Sequence, residues 1–246
     1  MGLAGYGNPL TYREHFGEFL HYNSDVTFQI NNDVLQFRQP NVDSLLALFG
    51  PIDQRNRPGH SQKGRDIAAT LQLVTNEIML ALATHLYEQR PCDALCMAGG
   101  VALNCTSNWH VKEEGPYQQL YIPSAPNDAG TAIGAALYVY HQQAAQATKG
   151  WPRSNATVVM PHPYTGPGYS DAEIRQLLEN QPRPYRKAPH VAQEAAELLA
   201  GGKIVAWFQG AMELGPRALG NRSLLADPRD ANMREVLNRK VKHREI

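Results

Sequence analysis

The densest chemistry in the chain lies at Glu213-Leu214-Gly215-Pro216-Arg217-Ala218-Leu219-Gly220-Asn221-Arg222-Ser223. One acid and two arginines sit among residues that restrict backbone shape. The guanidinium fork matches carboxylate and phosphate oxygens, so Arg217 and Arg222 are candidate anion holders. A surface loop with solvated charges is the alternative. Gly-Pro and Gly-Asn weigh against it because they impose a fixed geometry.

Three further groups could act on a ligand. Met97-Ala98-Gly99-Gly100-Val101-Ala102-Leu103-Asn104 reads as a strand, a double glycine and a helix start. Two glycines let a ligand approach the backbone, and a helix start offers free N–H groups to a phosphate or ribose. Asn104 would add a paired donor and acceptor. A tight turn that binds nothing fits the same residues. Asn127-Asp128-Ala129-Gly130-Thr131 opens a helix rich in small residues. Asp128 is either an N-cap or a hard oxygen ligand for a metal. Lys240-Val241-Lys242-His243-Arg244 is a basic cluster, which by itself is a helix terminus suited to the helix dipole.

These residues need elements to hold them. Ile67, Leu71, Val74, Ile78 and Leu82 recur every three to four residues, which predicts a long helix over 65–90 with one buried stripe. Residues 92–98 and 119–122 predict buried strands, with a helix over about 102–112 between them. A helix follows over 128–147. Residues 148–190, rich in Pro and Gly, read as a crossing segment. Val191–Ala200 predicts a helix closed by Gly201-Gly202, residues 203–209 a strand, and residues 230–240 a last helix. A strand is also expected near 26–30, in an otherwise loop-rich opening. The alternation of helix and strand is α/β organisation.

The bulk properties exclude several classes. The chain has 246 residues, 43% of them hydrophobic, enough for a core. With 23 basic and 23 acidic residues it has no general field for nucleic acid or anionic lipid. No apolar run approaches about 18 residues, so no membrane span is expected. The start lacks a secretory signal's basic region and apolar core. Cys92, Cys96 and Cys105 show no metal-type spacing and read as reduced thiols in a cytoplasmic protein, with Cys92 and Cys96 facing the core.

Five stretches occur in one order: residues 1–7 (Met-Gly-Leu-Ala-Gly-Tyr-Gly), 66–72 (Asp-Ile-Ala-Ala-Thr-Leu-Gln), 99–104, 126–130 and 213–223. In this order they resemble the NodU/CmcH-type O-carbamoyltransferases of nodulation-factor and antibiotic biosynthesis. The resemblance implies a partial actin-like ATPase domain, similar to TsaD-type threonylcarbamoyl transferases, followed by the start of a YrdC-like α/β domain. It places residues 1–147 in the second part of the carbamoyl-transfer domain, 148–190 in a connecting segment and 191–246 in the carboxy-terminal region.

The resemblance also implies an activity. ATP and carbamoyl phosphate form carbamoyl-adenylate, and the carbamoyl group then passes to a hydroxyl of a sugar or related small molecule with the help of an iron-type divalent metal. Gly99, Gly100 and Asn104 correspond to a nucleotide-contacting turn, and Asp128 to a metal-binding aspartate. Arg217 belongs to the signature that opens the carboxy-terminal region. Lys242 and Arg244 resemble the Lys-x-Arg pair that holds nucleotide phosphates. Family members carry a preceding region with two histidine metal ligands and a longer carboxy-terminal domain. The expectation is therefore a chain that is inactive alone and completed by another polypeptide or a second copy. An inactive remnant and a threonylcarbamoyl-type transferase are the competing readings; neutral charge and the 213–223 stretch argue against tRNA.

Overall fold

In the computed structural model, the described residues are 1–23, 25–35, 41–51, 61–147 and 162–243. They form two compact units, Met1–Ile122 with Asn238–Ile246, and Pro123–Leu237. The basic residue Arg244 lies outside the described residues.

The first unit is organised on one long helix. A 3-10 turn (Leu3–Tyr6) leads to α1 (Arg13–Gly17), the antiparallel pair β1 (Leu20–Tyr22) and β2 (Phe28–Ile30), and α2 (Val42–Phe49). Then comes α3 (Gln62–Gln89), close to the predicted 65–90. The Ser61 side chain caps its start by accepting from Gly64 N–H at 3.0 Å, satisfying one of the donors a helix start leaves unpaired. Strand β3 (Ala94–Cys96) runs parallel to β4 (Gln119–Tyr121), with α4 (Cys105–Glu114) crossing between them. Parallel strands require such a crossover.

Two apolar clusters flank α3. Phe16, Phe19 and Val74 are buried, with Phe49, Ile67 and Ile78 packed around them. Ala83, Leu95, Val111 and Tyr117 form the other cluster. The predicted stripe is only half right. Ile67, Val74 and Ile78 face the first cluster, but Leu71 and Leu82 are exposed. Polar residues are buried on α3 instead: Asp66, Thr70, Gln72 and Asn76. The helix packs against the opening 3-10 turn and α1 as well as against α4, and hydrogen-bonding side chains meet the segment after the 3-10 turn and α4. By length and composition alone α3 is apolar enough to cross a membrane. A third of its apolar window is buried, and Asp66, Gln72 and Asn76 are polar residues buried along it.

The expectation that Cys92 and Cys96 face the core fails. Cys92, Cys96 and Cys105 are free and exposed. Strand pleating sends Leu95 inward and its neighbour Cys96 outward.

The second unit opens with a 3-10 turn (Asp128–Gly130) into α5 (Thr131–Ala147). The crossing segment contains α6 (Asp171–Glu179), not foreseen from its Pro and Gly content. Ser170 and Glu173 close it with a reciprocal capping box. Helix α7 (Val191–Ala200) packs on β5 (Val205–Phe208). Gly202, at φ +75°, supplies the left-handed turn between them. A second unforeseen element, β6 (Arg222–Leu225), pairs antiparallel with β5. Helix α8 (Met233–Val236) runs into a π-helical turn, Leu237–Val241.

After β6, Arg229 grips Asp227 through Nε at 2.9 Å and Nη2 at 2.6 Å. The guanidinium, with the Arg229 backbone N–H, holds the Asp227 pKa at about 2. A depressed carboxylate pKa contributes stability above its unfolded value, near 4, and loses it as pH falls through about 2. We expect a carbon-detected titration of Asp227 to show a midpoint near 2, returning toward 4 in Arg229→Gln; an ordinary midpoint in the wild type would refute the pairing.

Candidate functional site

The glycine turn is built as the sequence suggests. Gly99 adopts φ +98°, a conformation that favours glycine. The chain then forms a 3-10 turn, Gly100–Leu103, before α4. Both Gly99 and Gly100 are exposed, and a Cβ added to either would meet nothing within 4 Å. The backbone here is open to close approach.

Asn104 is committed elsewhere. It is the N-cap of α4, accepting from Ser107 N–H at 3.2 Å. Its Oδ1 also accepts from Gln72 Nε2 at 3.2 Å, and its Nδ2 donates to Gln72 Oε1 at 3.2 Å. A carboxamide makes about four hydrogen bonds, so at most one N–H remains for a ligand. Gln72 Nε2 also reaches Asn76 Oδ1 at 2.7 Å, and Ser107 Oγ donates to Asn76 Oδ1 at 2.8 Å. Ser107 is fully buried. This polar cluster ties the glycine turn to the middle of α3. The 66–72 stretch thus supports the 99–104 stretch, a link that sequence order alone does not reveal.

In the second unit the arginine loop is held from several sides. Leu214 N–H donates to Pro163 O at 2.7 Å, Met212 N–H to Pro167 O at 2.9 Å, and Gly166 N–H to Met212 O at 2.9 Å. Tyr164 donates its hydroxyl to Leu219 O at 2.9 Å. Gly215, at φ +117°, lies so close to Ser124 that a Cβ there would stand 2.1 Å from its carbonyl oxygen. The loop is therefore packed on the segment that leads into Asp128.

The two arginines have different fates. Arg222 spends its guanidinium on backbone carbonyls: Nη1 donates to Gln209 O at 2.6 Å and Asn221 O at 2.8 Å, and Nη2 to Gly210 O at 3.2 Å. Its guanidinium carbon lies 3.5 Å from the Phe208 ring centroid, a cation–π contact. Arg222 is a strut of the β5–β6 turn, which corrects its reading as an anion holder. Arg217 is exposed and, among the described residues, has no hydrogen bond or ion pair. It is a rigidly based cation with its donors unspent.

Asp128 is exposed at the first position of its 3-10 turn. Its backbone carbonyl accepts from Thr131 Oγ1 at 2.5 Å. Among the described residues no three His, Cys, Asp or Glu side chains converge. Among the described residues Asp128 therefore lacks the partners of a tight divalent site, since one carboxylate does not hold such an ion tightly by itself. Lys242 is exposed in the first unit.

Residues 1–137 match the family described as Carbamoyltransferase N-terminus, and residues 196–246 match Carbamoyltransferase C-terminus. An uncharacterized protein of Synechocystis (sll1178) is 38% identical over all of this chain and 40% of its own length. Nodulation protein NolO of Bradyrhizobium diazoefficiens is 34% identical over all of this chain and 42% of its own length. Nodulation protein U of the same organism is 33% identical over 75% of this chain and 30% of its own length. The chain thus spans about two fifths of the first two relatives. On the family match over residues 1–137, joined by the match over 196–246, the chain belongs to the carbamoyltransferase family.

Proposed function

We propose that this chain forms part of an O-carbamoyltransferase that passes a carbamoyl group from carbamoyl phosphate, through carbamoyl-adenylate made with ATP, to a hydroxyl of a sugar-type acceptor. In the first step water cleaves carbamoyl phosphate to carbamate and inorganic phosphate, and a carbamate oxygen bonds to the α-phosphorus of ATP as pyrophosphate leaves. In the second the acceptor oxygen bonds to the carbamoyl carbon, the bond to the adenylate oxygen breaks, and AMP leaves with that electron pair. The acceptor gives up its proton. Two relatives are named as nodulation proteins, which supports an oligosaccharide acceptor of that kind. The actin-like and YrdC-like assignments, and the roles of Gly99, Gly100, Asn104, Lys242 and Arg244 toward nucleotide, belong to this reading. So do Asp128 as one ligand of a metal completed by other residues, and completion of the site by another polypeptide or a second copy.

The observation that carries the proposal is Arg217, exposed and unpaired on a loop whose backbone is fixed from several sides. A guanidinium on a fixed backbone needs only its own side chain ordered to hold a phosphate through charge-assisted hydrogen bonds. The test reads binding, which does not require a complete enzyme. Carbamoyl phosphate and ATP are titrated calorimetrically into the whole chain and into Arg217→Ala. Loss of charge-assisted hydrogen bonds of about 1.5–3 kcal/mol predicts affinity about 10–100-fold weaker for at least one of them. No binding by the wild type, or equal binding by both, overturns the proposal.

A further inference from the structure

A single oxygen closes the arginine loop. Glu213 Oε1 accepts from the backbone N–H groups of Asn221 at 2.7 Å, Leu219 at 3.0 Å and Arg222 at 3.1 Å. The acceptor belongs to the residue where the loop begins, and the donors to the residues where it ends and β6 starts. Burial works to raise the Glu213 pKa, but these backbone donors outweigh it and hold the carboxyl below its ordinary range. The acceptor is therefore ionised at neutral pH, and its bonds are of the stronger, charge-assisted kind. The neighbouring Asn221 side chain ties back to Ala211 O at 2.7 Å, and Arg222 braces the turn beneath. Arg217, in the middle of the closed span, contributes nothing to closing it.

We infer that Glu213 is a positioning residue whose carboxylate latches the backbone of residues 214–222 in the shape that presents Arg217 to a phosphate-bearing ligand. The ligand half of this inference rests on Arg217 as the anion-binding group; the latch stands by itself. Glu213 sets affinity without touching the ligand.

The test uses the full chain, wild type and Glu213→Gln, with backbone amide exchange and amide shifts read by NMR and pyrophosphate as the binding probe. A neutral amide oxygen of the same shape is a weaker acceptor for three donors. The amide protons of Leu219, Asn221 and Arg222 should move upfield together and exchange about tenfold faster. Amides of α3 should not change. Pyrophosphate affinity should fall about 5–20-fold with Arg217 intact, at most about one charge-assisted hydrogen bond's worth. A merely structural loss would spread through the unit rather than single out those three amides. Unchanged exchange and shifts at all three overturn the latch. Altered exchange with unchanged pyrophosphate affinity overturns its link to Arg217. No pyrophosphate binding by the wild type overturns the ligand half through Arg217 itself, while exchange still decides the latch. Should Glu213→Gln fail to fold, Glu213→Asp, which keeps the charge but withdraws the oxygen by one methylene, is read in the same way.

Discussion

Replacing Gly215 by alanine should cost the second unit about 2–6 kcal/mol and dismantle the arginine loop. Two penalties combine. Gly215 stands at φ +117°, where an L side chain is strained by about 1–3 kcal/mol. The new Cβ would also lie 2.1 Å from the Ser124 carbonyl oxygen and 2.8 Å from its carbon. Both are backbone atoms, which yield less readily than a side-chain tip, and overpacking of this kind costs about 1–3 kcal/mol. The measurement is urea unfolding of the wild type and Gly215→Ala, with Gly134→Ala as reference. A Cβ at Gly134, inside α5, meets nothing within 4 Å. That variant should gain about 0.5–1 kcal/mol from helix propensity. A Gly215→Ala midpoint equal to the wild type would show that loop 213–222 does not lie against residues 124–125.

Gly7→Ala should be comparably severe in the first unit, about 3 kcal/mol, for a different reason. Its backbone is extended, so conformational strain plays no part. The cost is contact: an added Cβ would meet Arg65 O at 2.1 Å, Arg65 C at 2.3 Å and Asp66 N at 2.6 Å. Forcing the opening turn away from α3 also stretches the bond from Asn8 N–H to Asp66 Oδ1, now 2.7 Å. Asp66 is buried and its Oδ1 keeps the Gln62 side-chain amide as a donor at 2.8 Å, so losing the Asn8 bond adds about 1 kcal/mol. Gly2→Ala, with open space above it, should be nearly neutral. Amide exchange in the first turns of α3 separates the outcomes: faster exchange in Gly7→Ala and none in Gly2→Ala is expected, and equal behaviour of the two would remove the close approach from the account.

These glycines show which parts of the fold the sequence made legible. Helix α3 was readable because Ile67, Val74 and Ile78 repeat with the helical period. The strand, double glycine and helix around Gly99 were readable because that turn needs a residue free to take φ +98°. Burial of Gln72, Asn76 and Ser107 was not readable. Periodicity counts apolar residues, whereas these three are buried by pairing with one another across α3 and α4. Strand β6 was hidden because Arg222 and Ser223 read as loop chemistry; their pairing is set by β5. Of the candidate site, Arg217 was found by residue type. Only the fold separates it from Arg222, because the carbonyls that occupy Arg222 belong to residues of any kind.

The three donors on Glu213 have a consequence for how this loop can change over generations. Leu219 gives the carboxylate only its main-chain N–H, and its side chain is largely exposed. Any residue except proline offers that group. Position 219 can drift through the alphabet while the shape persists. Asn221 and Arg222 cannot drift so freely, because each also commits its side chain to the turn. Two loops that differ at 219 can thus share one backbone, whereas a proline there removes a strut without changing any charge.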